Sequence, residues 1–125
     1  MLSHIGIYVN DIEKAKSFYV PALKPIGYEL IREFPEWSVI GMGANNVPDF
    51  WVSQREAVHN VHIAILAAGK DAVAAFHAAA LAAGGTDNGA PGYRTDYAPG
   101  YYAAFVTDPF GNNLEVMFND PNPAA

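Results

Sequence analysis

A chain of 125 residues, about half of them apolar, is long enough for one domain with a core of its own, and its lack of cysteine excludes disulfides and thiolate metal sites. A net charge of −6 offers no basic footprint for nucleic acid, and no segment approaches the roughly 20 apolar residues that cross a bilayer. The first strand is expected from residue 2, which leaves no room for a signal peptide and predicts a soluble, cytoplasmic protein.

Leu2 to Val9 reads as a strand, with Ile5, Ile7 and Val9 on one face and His4, Gly6 and Tyr8 on the other. Asn10 followed by Glu13 is a capping-box signature for a helix to about Lys24, with an apolar stripe of Ile12, Ala15, Phe18, Tyr19 and Ala22. Gly27 suits a left-handed terminator. Strands are expected at Tyr28–Phe34, Trp37–Met42 and Phe50–Ser53, with Phe34 and Trp37 read as core in preference to pocket wall. Gln54–Asn60 reads as a connector.

A second strand–helix pair then begins, with a strand at Val61–Ala67 and an Ala-rich helix from Lys70 to Ala83 ended by Gly84-Gly85. Thr86–Gly100, rich in Gly and Pro, reads as a long loop of the kind that is functional or mobile. Tyr101–Thr107 and Asn113–Phe118 form a hairpin around Asp108-Pro109-Phe110-Gly111-Asn112, and the tail from Asp120 is expected to fray.

The halves repeat. At an offset of 58, His4-Ile5-x-Ile7 falls on His62-Ile63-x-Ile65, and Phe18, Ala22, Leu23 and Gly27 fall on Phe76, Ala80, Leu81 and Gly85. Each half reads strand, helix, strand, strand, strand, an α+β pattern in two modules: about 2–53 and 61–118, joined by 54–60, with a tail at 119–125.

Side-chain alternation singles out three residues. His4 and His62 point away from the apolar faces of their strands, and Glu115 points away from Leu114, Val116 and Phe118. If the helices cover the apolar faces, two imidazoles and a carboxylate share the opposite side. That donor set suits a divalent metal such as Zn, Ni, Mn, Fe or Co with positions left open for substrate. Glu115 is the expected catalytic carboxylate as well as a ligand. Aligning the module ends sets Trp51 over Glu115, so a fourth protein ligand is not supported and the indole reads as a substrate-binding residue that walls the pocket or stacks on the substrate. Arg94 is either an anion handle for substrate or a solvated loop charge. Tyr97 is a further substrate-binding candidate. Tyr101 and Tyr102 alternate faces, so only one of them lines the cup.

The paired units, with His4, His62 and Asp108-Pro109-x-Gly111-Asn112-x-Leu114-Glu115, resemble the vicinal oxygen chelate superfamily over about residues 2–118. That group includes glyoxalase I, fosfomycin-resistance transferases, extradiol dioxygenases, methylmalonyl-CoA epimerase and bleomycin-binding proteins. The resemblance implies two βαβββ modules whose curled mixed sheets form a cup around a metal held by His4, His62 and Glu115. It also implies a homodimer, with the site formed either within one chain or across the pair, His4 then coming from one chain and His62 and Glu115 from the other. Trp51 stands where glyoxalase I has a further carboxylate, which argues against true glyoxalase I activity. The leading expectation is a metal-dependent lyase-, isomerase- or transferase-type enzyme acting on a small molecule with vicinal oxygens. A metal-free, bleomycin-resistance-type binding protein and an iron-dependent extradiol dioxygenase are the alternatives.

Overall fold

The computed structural model describes residues 2–123. Strand β1 (Ile5–Val9) leads into helix α1 (Ile12–Leu23), then β2 (Glu29–Phe34), β3 (Val39–Gly43) and β4 (Phe50–Gln54). The second half repeats the order with β5 (His62–Leu66), α2 (Lys70–Ala82), β6 (Thr86–Tyr93), β7 (Tyr101–Thr107) and β8 (Asn113–Asn119). Each half builds its own four-stranded sheet, ordered β1-β4-β3-β2 and β5-β8-β7-β6. The first strand of each runs parallel to the last, and the remaining pairs are antiparallel. Neither sheet closes into a barrel, so the architecture is α+β in two βαβββ modules.

Local chemistry sets the element ends, sometimes one step from where the sequence reading has them. Asp11 rather than Asn10 caps α1, its carboxylate accepting the Lys14 amide at 3.1 Å. Gly27 turns the chain at φ 86°, as its position predicts. Trp37 ends a 3-10 turn (Pro35–Trp37) instead of opening a strand, and Ser38 follows in the left-handed region. β1 starts only at Ile5, so His4 precedes the strand and alternation does not govern its side chain.

The largest departure lies in Thr86–Gly100. Its first half is not loop but strand β6, whose register shifts at Asp87/Gly89 and again at Gly89/Gly92. Glycine and proline here mark bulges rather than turns. The tail also departs: Asp120 accepts the Tyr93 hydroxyl at 2.6 Å and lies 3.5 Å from Lys70 Nζ. Residues 124 and 125 of the expected tail lie outside the described residues.

α1 covers the first sheet and α2 the second, and the two helices also pack on each other, so one core joins both modules. A side chain at Gly85 would stand 2.9 Å from Phe18 Cε1, so the approach of the modules needs a bare backbone there. Helix-facing residues such as Ile7, Val9, Val52, Leu114 and Val116 are sealed. Gly6, Tyr8, His62, Ala64 and Leu66, on the other faces, are exposed. Each sheet therefore keeps one helix-free face.

A polar knot crosses the modules inside this core. Asp108, buried in the β7–β8 turn, accepts the Tyr19 hydroxyl of α1 at 2.5 Å. It also accepts the amides of Phe110 and Asn112 and Asn112 Nδ2, at 2.7–2.9 Å. Asn112 Oδ1 in turn accepts the Val61 amide at 2.9 Å, one residue before His62. The run read as a hairpin turn thus ties α1, the turn and the start of β5 together.

The buried phenols lead to a pH prediction. Burial, and then the neighbouring Asp108, hold Tyr19 well above its ordinary value, and burial with Asp49 does the same for Tyr28. A phenol raised on folding adds stability that is present below its unfolded pKa near 10 and is lost as pH climbs through the folded value. Tyrosinate absorbance should therefore rise in a late step for Tyr19 and Tyr28, coincident with alkaline unfolding. One uniform step near pH 10 for all seven tyrosines would contradict this.

Candidate functional site

The cross-strand row Ala64, Glu115, Phe105 runs through the helix-free face of the second sheet. Glu115 is only 2% exposed, a burial that carboxylates tolerate when both oxygens are bonded. His62 Nε2 lies 3.0 Å from its Oε1, and Tyr101 donates its hydroxyl to Oε2. Burial, and then Glu115, push Tyr101 up to about 12, so it remains a donor through the neutral range. The half-exposed His62 has Nδ1 3.1 Å from the Asn113 carbonyl. A carbonyl only accepts, so Nδ1 carries the proton and Nε2 is left to face Glu115.

This is how metal-ligating histidines are commonly fixed, one nitrogen bonded to backbone and the other free to ligate. Two ligands each about 2.1 Å from a divalent ion and at right angles to one another stand about 3 Å apart. His62 Nε2 and Glu115 Oε1 have that spacing, so as two neighbouring ligands they fit such an ion.

Around the pair, the His62 and Phe105 rings stack with centroids 6.4 Å apart, and Arg94 Cζ lies 5.3 Å from the Phe105 centroid. Tyr97 sets its ring edge-on to Tyr101 at 5.2 Å. The two neighbouring tyrosines separate as alternation requires. Tyr101 lies on this face, whereas Tyr102 turns to the helix side, packed on the core and edge-on to Tyr93 at 5.1 Å. Tyr102 is therefore removed from the candidate site. Phe105 and the Asn113 carbonyl were not singled out from sequence; the phase of Phe105 with Tyr101 was the available signal for the first.

His4 stands apart. Among the described residues no group of three or more metal-ligand side chains comes together. His4 Nδ1 sits 3.1 Å from Ser3 Oγ, and the residue borders an open cavity of about 420 Å³ between β1 and β5, with Tyr28 and Asp49. The expected convergence of His4, His62 and Glu115 is thus absent within one chain. The reason is architectural: inside the chain it is the helices that meet, not the helix-free faces.

Trp51, at the position matching Glu115, lies on the first sheet in the row Gly6, Trp51, Gly41. Its indole rests where Gly41 has no side chain; a Cβ there would be 2.6 Å from Trp51 Cζ3. Phe34 stacks near-parallel to Trp51 at 6.4 Å, and Trp37 adjoins Phe34 at 5.3 Å. Trp37 is 66% exposed, so it belongs to an aromatic strip on the surface rather than to the core.

Paired βαβββ modules with a histidine–carboxylate couple on an open sheet face define a glyoxalase-type fold. The chain belongs to the Glyoxalase/Bleomycin resistance protein/Dioxygenase superfamily, whose sequence profile matches residues 1–116. Among solved structures it is similar to a glyoxalase/bleomycin resistance protein from Albidiferax ferrireducens T118, with a TM-score of 0.80 and 26% identity over 94% of this chain and 98% of that one. A glyoxalase-related enzyme from Fulvimarina pelagi gives 0.74 and 21%, covering 95% of this chain and 88% of that one. Lactoylglutathione lyase from Agrobacterium tumefaciens gives 0.68 and 17%, covering 94% and 92%; at that identity the likeness extends to the fold alone. Among curated proteins, none matches the chain in sequence.

Proposed function

We propose that the protein acts as a homodimeric, metal-dependent enzyme of lyase, isomerase or transferase type on a small molecule with vicinal oxygens. The observation that carries this is the buried Glu115 beside a His62 whose other nitrogen is tied to backbone. When bound, a divalent ion such as Zn, Ni, Mn, Fe or Co would supply open positions for neighbouring substrate oxygens and stabilise charge developing on them. His62 and Glu115 of one copy and His4 of the second would hold it. Asn113 keeps His62 oriented, and Tyr101 occupies the far oxygen of Glu115, so that Oε1 is the oxygen presented.

The sheet borders support a second copy. β2 carries Glu29, Arg32, Glu33 and a register shift, and β6 carries Pro91 and two shifts, features that discourage strand pairing. β1 and β5 also end their sheets but have no charge, proline or bulge, and exposed Leu2, Tyr8 and Leu66 lie on or beside them. Pairing through β1 and β5 would bring the first helix-free face of one copy against the second of the other.

Elemental analysis tests the reading. Wild type should carry about one ion per chain, and Glu115→Gln should bind it more than about 100-fold more weakly, since loss of a direct ligand exceeds the 10–100-fold of an outer partner. Undiminished stoichiometric metal in that variant would defeat the proposal. The Trp37–Phe34–Trp51 strip favours a second reading, a bleomycin-resistance-type protein that stacks a flat ligand without catalysis. Full ligand affinity in metal-free protein would select it.

A further inference from the structure

Arg94 is a cation that no acid neutralises. Among the described residues no carboxylate lies within salt-bridge distance of it, while the other cation of its module, Lys70, meets Asp120. Its amide donates to the Tyr101 carbonyl at 2.7 Å, which fixes it opposite Tyr101 on the helix-free side. The side chain then doubles back over the sheet. Nη1 donates to the Gly92 carbonyl at 2.8 Å, and Nη2 to the Ala90 carbonyl at 2.7 Å.

Two glycines shape its seat. A Cβ on Gly89 would stand 3.1 Å from Nη2 and 2.9 Å from Phe105 Cδ1, and one on Gly92 would stand 3.3 Å from Nη1. The irregular course of β6, with its two register shifts, carries the carbonyls that hold the fork. A solvated loop arginine would extend into water and keep its rotamer freedom. This one is fastened by neutral carbonyls that leave its charge uncompensated. Three of the five N–H donors of a guanidinium remain without a partner among the described residues. The group sits over Phe105, the cross-strand neighbour of Glu115 and stacking partner of His62.

We propose that Arg94 forms an anion subsite, so that the ligand of this face carries a carboxylate or phosphonate. Paired oxyanion oxygens would take the free N–H groups of the fork, with the rest of the molecule crossing Phe105 toward His62 and Glu115. Arg94 also offsets the repulsion that Glu115 exerts on any anion approaching this face. The inference rests on the reading of this face as a binding site, but not on a metal being there.

The test is calorimetric titration with benzoate, phenylphosphonate and their neutral counterpart benzamide, on protein without metal and with zinc ion added. At least one anion should bind about tenfold to hundredfold more tightly than benzamide, as expected for charge-assisted hydrogen bonds. Arg94→Gln should abolish that preference, and Arg94→Lys should keep part of it. Zinc stoichiometry should stay at the wild-type value in Arg94→Gln, because Arg94 does not touch His62 or Glu115. The winning anion, planar or tetrahedral, identifies the headgroup. An Arg94-dependent preference in metal-free protein supports the subsite even where zinc fails to bind. No acid preference with or without zinc, or a preference that survives in Arg94→Gln, overturns it.

Discussion

Mixing two inactive variants should restore metal binding. His4→Ala and Glu115→Gln are each expected to bind almost no ion alone, since each would lack one ligand of every proposed site. Refolded together in equal amounts, half of the dimers are mixed. In each mixed dimer one site joins the intact His4 of one chain to the intact His62 and Glu115 of the other, and the second site lacks both. About a quarter of the wild-type metal should therefore return. The expectation follows from His4 standing apart while His62 Nε2 and Glu115 Oε1 stand 3.0 Å apart within one chain. Elemental analysis of the refolded mixture is the measurement. No recovery above the separate variants would mean that the third ligand does not come from a second copy.

Asp108→Ala should be the most damaging single change to stability, at about 3–5 kcal/mol. The side chain is 3% exposed and takes hydrogen bonds from Tyr19, from the Phe110 and Asn112 amides and from Asn112 Nδ2. Its removal leaves buried donors without an acceptor, at about 1–3 kcal/mol for each one that water cannot reach. Against a total near 5–15 kcal/mol this is a large share. Tyr19→Phe removes one donor and should cost only about 1–2 kcal/mol. Adding Tyr19→Phe to Asp108→Ala should cost less than the sum, because the first loss already breaks the contact. Urea unfolding followed by circular dichroism and fluorescence reads all three. A cost below about 1 kcal/mol for Asp108→Ala would show that the knot is not what joins the modules.

How much of this was legible in the sequence depends on where strict alternation holds. His62 and Glu115 share a face because β5 and β8 are regular and paired in register, so two-residue alternation carries directly into space. The twofold repeat was legible for the same reason, since most of its identities fall on strand and helix positions that keep their phase. His4 lies one residue before β1, where alternation no longer binds the backbone. β6 was hidden because its bulges are made of the same Gly and Pro that mark turns. Periodicity also tells which face of a sheet is apolar but not which faces of two modules meet. The helices meet here, and no local pattern could announce that. The reach of Asp108 to Tyr19, 89 residues away, is of the same kind.

The raw borders at β1 and β5 also govern how many molecules can join. Two copies that closed on each other as proposed would use up all four such borders, and growth would stop at two. A changed angle between the modules would leave one border spare at either end of a row, and rows have no natural limit. A shift of that angle is therefore expected to appear as turbidity and fibrous precipitate rather than as a clear solution of single chains.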